Sequence, residues 1–195
     1  MADLVVGRFG LHLLLREGVP QFGVNIPFAY LEGFVARWQG DSAKTQAAFS
    51  AARSEVAKIV EKEPDFPAAL SVLGTIDSGL GRKEEALREG RRACELLPIS
   101  KDAIDGAALA GGLAQIYAWV GEKDLAIEQI AAVQRVPNDL NYGLLRLSPT
   151  WDSLRGDPRF EKTSPPSRRK NDLEASLPTL YNACRCPPTL SRRLS

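Results

Sequence analysis

Three glycines at nearly equal spacing constrain the fold of this chain more than any other feature of its sequence. Gly40, Gly81 and Gly121 lie 41 and 40 residues apart, and each follows a run rich in apolar or aromatic residues. A segment with regularly spaced apolar residues comes after each glycine, as in "DSGLGRKEEALREG" and "YAWVGEKDLAIEQI". A repeat of about 40 residues is typical of proteins built by stacking similar helical units. The sequence therefore predicts three units, each made of two helices joined by a turn at the glycine.

The unit around Gly81 has the most complete helical pattern. Apolar or small residues recur every three to four positions after this glycine, at Ala86, Leu87, Gly90, Ala93, Cys94 and Leu97. This spacing predicts one buried stripe along a helix that ends before Pro98. We predict positive φ for Gly81 in the turn, because glycine reaches that conformation without steric cost. Gly74 and Ala86 are predicted to lie where two helices cross closely, since larger side chains there would separate the backbones.

The segment from Pro67 to Pro98 resembles a tetratricopeptide repeat (TPR). Its matching positions are Leu70, Leu73, Gly74, Gly81, Ala86, Ala93 and Pro98. The other two units match at Leu113, Ala114, Tyr117 and Ala126, and at Gly33 and Phe49. Two positions depart from the family pattern, because Asp77 stands where an aromatic residue is usual and Gly90 where phenylalanine is usual. The units are also longer than the family period, which predicts a less regular stack.

A second resemblance covers the residues that follow the third unit. The segment "NYGLLRLSPTWDSLRGDPRFEK" is similar to the segment that closes repeat arrays in bacterial signalling proteins. In those proteins the array commonly follows a serine/threonine kinase, a nucleotide cyclase or a winged-helix DNA-binding domain. Pro149 is predicted to begin a short helix with Trp151 and Leu154 on its apolar face, and Phe160 to pack against the last repeat. A cap of this kind would shield the open end of a stack.

The predicted fold class is all-α, and the resemblance implies a right-handed α-solenoid of helix-turn-helix, TPR-like repeats. The predicted parts are a partial N-terminal helix and loop (1–25), a repeat domain (26–162) and a disordered tail (163–195). Within the repeat domain the repeats are about 26–64, 67–98 and 103–137, followed by the cap at 138–162. The N-terminal part contains the helical patch "GRFGLHLLLREG", and the predicted loop is "VPQFGVNIP". The tail holds five of the 13 prolines and has no periodicity, which is typical of disorder. A generic helical bundle with coincidental glycines is the alternative fold.

The composition disfavours several kinds of partner and location. With 44% hydrophobic residues, 25% charged residues and a net charge of +1, neither nucleic acid nor an acidic membrane is a favoured partner. Cys94, Cys184 and Cys186 form no C-x-x-C pair, which favours free thiols and indicates a reducing, cytoplasmic location. The longest early apolar stretch, "FGLHLLL", is too short to span a membrane, and no secretory leader is predicted.

The sequence lacks recognisable catalytic patterns, and we expect no enzyme activity, no metal and no cofactor. The sole histidine, His12, lies in an apolar patch, where a packed or surface role is more common than catalysis. The chain has no G-x-S-x-G elbow, no G-x-x-x-x-G-K-[ST] phosphate loop and no kinase signature. An enzyme of unusual kind is the weakest of the alternatives.

The predicted function is a non-catalytic protein–protein interaction module that binds a peptide or a partner domain in the concave groove of the repeats. The resemblance places these positions in the groove: Tyr30, Phe34, Arg37, Trp38, Ser71, Thr75, Ser78, Gln115 and Trp119. A core role for Phe34, Trp38 and Trp119 is an equal alternative. Only Arg37 fits the basic set with which some family members clamp a terminal carboxylate, so an acidic chain end is disfavoured. The alternative function is a detached C-terminal regulatory fragment of a larger bacterial signalling protein. Self-association through a poorly shielded end is a further expectation.

Overall fold

A computed structural model describes residues 19–21, 24–136 and 140–163 of the chain. Over these ranges the protein is mostly helical, as the all-α prediction requires. A short hairpin, β1 (Val19–Gln21) and β2 (Val24–Ile26), precedes the helices. The long helices are α1 (Phe28–Trp38), α2 (Ser42–Lys62), α3 (Pro67–Gly79), α4 (Lys83–Leu96), α5 (Asp105–Trp119) and α6 (Lys123–Val133). The described part ends with α7 (Tyr142–Leu147), a 3₁₀ helix (Pro149–Leu154) and α8 (Pro158–Thr163).

The six long helices pack as three consecutive pairs. The pairs are α1 with α2, α3 with α4, and α5 with α6. Helix α3 also packs against α2 and α5, and α4 packs against α5, so the second pair lies between the other two. The identification of these pairs as TPR-like repeats of a right-handed solenoid stays a prediction.

The same hydrogen-bonded turn ends the first helix of each pair. Gly40, Gly81 and Gly121 have φ angles of 74°, 77° and 86°. The residue after each glycine donates its backbone N–H to a carbonyl five residues earlier, for example Arg82 to Asp77 over 2.8 Å. In this Schellman arrangement, a glycine in the left-handed region lets the last helical carbonyls find donors. The prediction of positive φ at Gly81 is confirmed, and the regular glycine spacing reflects a repeated local structure.

Phe49 of α2 fills the space between two glycines on neighbouring helices. Its side chain is fully buried. A Cβ atom added at Gly33 would lie 2.5 Å from the Phe49 Cδ1, and one added at Gly79 would lie 2.4 Å from its Cε2. Both distances are far shorter than ordinary van der Waals contact. The ring therefore touches the backbones of α1 and α3, and only glycine leaves room for it on either side.

Gly74 allows a close crossing of α3 with α4, and Gly90 allows a close approach of α4 to α5. A Cβ atom added at Gly74 would lie 3.0 Å from the carbonyl oxygen of Ala86, which confirms the close approach predicted for these two residues. A Cβ atom added at Gly90 would lie 2.7 Å from the Cδ1 of Ile116. The departure at Gly90 thus has a physical reason, because Ile116 of α5 fills the space that a larger side chain would need.

Asp77 is the other position that departs from the TPR pattern, and it lies at the centre of a buried cluster of charged side chains. Its carboxylate is fully buried and accepts a hydrogen bond of 2.6 Å from Arg53 Nε of α2. Arg82, in the turn after α3, approaches the same oxygen at 3.4 Å. Glu89 of α4 lies in the same environment, and burial together with the Asp77 charge raises the pKa of Glu89 to about 7. An ion pair between α2 and α3 is therefore the interaction that the structure shows at Asp77.

The C-terminal segment packs as predicted. Pro149 begins a 3₁₀ helix, and Trp151, Leu154 and Phe160 are all buried. The Ser153 hydroxyl donates to the carbonyl oxygen of Ala118 over 3.1 Å, which ties the 3₁₀ helix to α5. The apolar side chains of the C-terminal segment thus cover the last helix pair, α5 and α6.

The N-terminal prediction is partly wrong. The segment predicted as the loop "VPQFGVNIP" contains two antiparallel strands, with Val19 opposite Ile26. Val24 and Ile26 are buried and Asn25 between them is exposed, which is the alternation of a strand with one buried face. The predicted helical patch before Val19 lies outside the described residues, as does the predicted disordered tail after residue 163, whereas Thr163 itself belongs to α8.

Candidate partner-binding groove

A cavity of about 330 Å³ lies between the first helices of the three pairs and the C-terminal segment. Six of the nine predicted site residues line it: Tyr30, Phe34, Trp38, Ser71, Thr75 and Gln115. They come from α1, α3 and α5, the helices that the resemblance assigns to the concave face. We refer to this cavity and its lining as the groove.

The other three predicted residues lie elsewhere. Arg37, Ser78 and Trp119 line a second depression of about 390 Å³ near the turns at Gly40 and Gly81. The Arg37 guanidinium carbon lies 4.3 Å from the centre of a Trp119 ring, and partial burial lowers the pKa of Arg37. Because Arg37 already interacts with an aromatic face, it is held away from the groove. The nine positions therefore do not form one continuous surface.

Aromatic side chains connect the two depressions. The Phe34 ring lies 5.0 Å from a Trp119 ring, 5.7 Å from a Trp38 ring and 4.9 Å from the Tyr30 ring, measured between centroids. Phe34 and Trp119 pack against the buried core, whereas Trp38 is 46% exposed. The alternative prediction of a core role thus fits Phe34 and Trp119. Trp38 instead has the exposed area that a contact with another molecule needs.

Two hydroxyl groups on α3 donate hydrogen bonds within their own helix. The Thr75 hydroxyl donates to the Ser71 carbonyl oxygen over 3.0 Å, and the Ser78 hydroxyl donates to the Thr75 carbonyl oxygen over 2.7 Å. Burial raises the pKa of Tyr30, with a hydrogen bond to Thr75 acting in the opposite direction. Tyr30 and Thr75 form part of the wall of the groove, and the hydroxyl protons of Thr75 and Ser78 are used within α3.

Gln115 differs from these hydroxyl groups. Its Nε2 is buried and has no hydrogen-bond partner among the described residues. A buried donor without an acceptor costs about 1–3 kcal/mol. Since Gln115 also lines the groove, a carbonyl oxygen of a bound molecule is a suitable acceptor for its amide.

Sequence reasoning missed the opposite wall of the groove. This wall consists of small residues of α5 together with residues of the C-terminal segment: Ala107, Ala108, Gly111, Gly112, Leu140, Leu144, Thr150 and Trp151. The run "GAALAGGLAQ" carried a signal for the α5 part, because such small residues allow close approach to a backbone. Among the residues that the structure describes, the lining contains no Asp, Glu, Lys or Arg.

The described residues outside the groove offer few metal-ligating or reactive side chains. They contain no group of three or more His, Cys, Asp or Glu side chains arranged to hold a metal ion. Cys94 is mostly buried, and this burial raises the pKa of its thiol to about 11, which leaves it protonated at neutral pH. No helix in the described ranges combines the length and apolar character needed to cross a membrane.

Comparison with known proteins gave no match to a family model and no significant match to a curated protein or a solved structure.

Proposed function

We propose that this protein is a non-catalytic interaction module that binds a peptide or a partner domain in the groove. We also propose that its helix pairs are TPR-like repeats of a right-handed solenoid. The repeated Schellman turns and the groove between the first helices support this fold. The observation that carries the function is that one cavity is lined by an exposed Trp38 and by a Gln115 whose Nε2 has no partner among the described residues.

The lining of the groove defines the chemistry of the partner. A charged side chain placed there would lose hydration without meeting an opposite charge among the described lining residues, which is costly. An apolar side chain would instead bury surface against Tyr30, Phe34 and Trp38. The volume of about 330 Å³ is at the small end of ligand pockets and suits one or two side chains. We therefore expect an uncharged segment with one aliphatic or aromatic anchor.

Two contacts would determine the affinity. Trp38 would cover the anchor residue, as partly exposed aromatic residues often do in binding hot spots. Gln115 would donate to a backbone carbonyl oxygen of the bound segment and so remove the cost of its unpaired amide.

Selection from a random peptide library displayed on phage tests this proposal. The full-length chain serves as bait, and the affinity of selected peptides is then measured by fluorescence anisotropy. Trp38→Ala is expected to weaken binding at least tenfold, since a hot-spot truncation costs about 2 kcal/mol. Val35→Ala is the matched control, because Val35 lies on the same helix, is 48% exposed and does not line the groove.

The selected sequences provide a second criterion. Enrichment of uncharged peptides with a common apolar anchor, lost with Trp38→Ala and kept with Val35→Ala, supports the proposal. Equal loss with both variants, or enrichment of strongly charged peptides, contradicts it.

A further inference from the structure

The outer side of the first helix pair carries an apolar depression that is separate from the groove. Its volume is about 620 Å³. We call it the α1–α2 face, and its apolar lining is Phe28, Ala29, Leu31, Val35, Ala36, Ala47, Ala48 and Ala51. Leu31 is 37% exposed and Val35 is 48% exposed. Apolar side chains exposed in a contiguous concave patch indicate a surface that another element covers.

The shape of the α1–α2 face suits a helix. Ala47 and Ala51 lie four residues apart on α2, with Ala48 beside them, and their small side chains let a third helix come close. Leu31 and Val35 form the matching ridge on α1, also four residues apart. Glu32 and Lys44 lie at the rim, so the charges around the patch are balanced.

The hairpin brings the preceding chain to this face. Val19 is paired with Ile26, and paired residues of antiparallel strands lie about 5 Å apart. Ile26 is two residues before Phe28, the first residue of α1 and part of the face. Since the strands are antiparallel, the chain before Val19 leaves the hairpin at the end where α1 begins.

The preceding 18 residues have the composition and length to cover the face. They contain eight Leu, Val or Phe residues, among them Leu11, Leu14 and Leu15 at the i, i+3 and i+4 positions of one helical side. At about 1.5 Å per residue, 12 residues of helix extend roughly 18 Å. The 11 residues of α1 extend about 16 Å by the same rule, so the segment is long enough.

We propose that the α1–α2 face is the docking site of this chain's own residues 4–15, in which Leu11, Leu14 and Leu15 have the spacing of one apolar helical side. The occupant is thus the protein's own N-terminal segment. The inference does not depend on the function of the groove.

Disulfide trapping in the full-length chain tests this packing. The three native cysteines are replaced by serine, and Val35→Cys is combined in turn with one cysteine in the segment. The four partner substitutions are Leu4→Cys, Leu11→Cys, Leu14→Cys and Leu15→Cys. At least one pair is expected to form an intramolecular disulfide under dilute, mildly oxidising conditions, since bridged cysteines need Cα atoms within about 7 Å. In the matched control, Leu147→Cys replaces Val35→Cys in each pair, and no intramolecular disulfide is expected. Leu147 is 82% exposed on α7 and is not part of the α1–α2 face.

Thiol accessibility gives an independent readout. The Val35→Cys thiol is expected to react with a water-soluble thiol reagent at least tenfold more slowly than the Leu147→Cys thiol. The additional change Leu11→Glu is expected to remove most of that protection. The proposal is overturned if no intramolecular disulfide forms, if the two thiols react equally fast, or if Val35→Cys cross-links two copies at low concentration. The last result would assign the face to a second copy of the chain.

Discussion

Replacing Gly33 by alanine tests the close packing of the Phe49 ring against α1. Alanine normally stabilises a helix interior by about 1 kcal/mol relative to glycine. Here the new Cβ atom would lie 2.5 Å from two atoms of the Phe49 ring, about 1 Å closer than ordinary contact. The ring cannot retreat, because its other edge touches α3 at Gly79. Steric overlap therefore outweighs helix propensity, and we expect Gly33→Ala to destabilise the protein.

The expected magnitude follows from these two opposing effects. Overpacking of a core costs about 1–3 kcal/mol, and a ring enclosed on both sides belongs to the upper half of that range. Subtracting the propensity gain leaves a net loss of about 1–2 kcal/mol in the free energy of unfolding. For a chain of this size the melting temperature falls by about 2–4 °C for each kcal/mol. Gly33→Ala is therefore expected to melt about 2–8 °C below the wild type.

Gly111→Ala is the matched control for this experiment. Gly111 also lies inside a helix, but a Cβ atom added there would lie 3.4 Å from Leu140 Cδ1, an ordinary contact. This variant is expected to be more stable than the wild type by up to about 1 kcal/mol. Urea unfolding followed by far-ultraviolet circular dichroism gives the free energies, and thermal melts give the temperatures.

Equal stability of the two alanine variants would refute the reasoning. A second result would do so as well. In a Phe49→Leu background the clashing ring atoms are gone, so the Gly33→Ala change should lose most of its cost. If the cost stays the same, Phe49 is not the residue that requires glycine at this position.

Three further changes test other parts of the fold. The pKa of Glu89 is raised in the folded state, so its contribution to stability is present at low pH and is lost as pH rises from about 4.5 to about 7. Glu89→Gln should remove that loss. In urea titrations the variant and the wild type should have nearly equal free energies of unfolding at pH 4, and the variant should be more stable by on the order of 2 kcal/mol at pH 8. Phe160→Ala should lower the free energy of unfolding by about 3–5 kcal/mol in urea titrations, because Phe160 is fully buried against the last helix pair. Ala86→Leu should cost about 1–3 kcal/mol in thermal melts, since Ala86 is fully buried at the crossing of α3 and α4. A negligible change in any of these measurements would contradict the packing described for that residue.

Local features of the helices were predictable from the sequence. The positive φ at Gly81 and the close crossing of Gly74 with Ala86 follow from properties of single residues and from helical periodicity. The 3₁₀ helix that begins at Pro149 follows in the same way, because proline suits the first turn of a helix.

Contacts between distant parts of the chain were not predictable in this way. The pairing of Asp77 with Arg53 joins residues on different helices, and no local pattern specifies it. The contact of Arg37 with Trp119 also joins residues on different helices, and both residues line the second depression and not the groove. The hairpin at Val19–Ile26 was missed because its strands have only three residues each, too few for a clear alternation.

The described lining of the groove carries no charged side chain, which has a consequence for the kinetics of the proposed binding. Without a local field to steer it, an uncharged ligand would associate at about 10⁵–10⁶ M⁻¹s⁻¹, and salt would change that rate little. Differences in affinity between competing ligands would then arise almost entirely from how long each stays bound. Residence time, set by how well an anchor fits beside Trp38, would be the property through which this protein distinguishes one ligand from another.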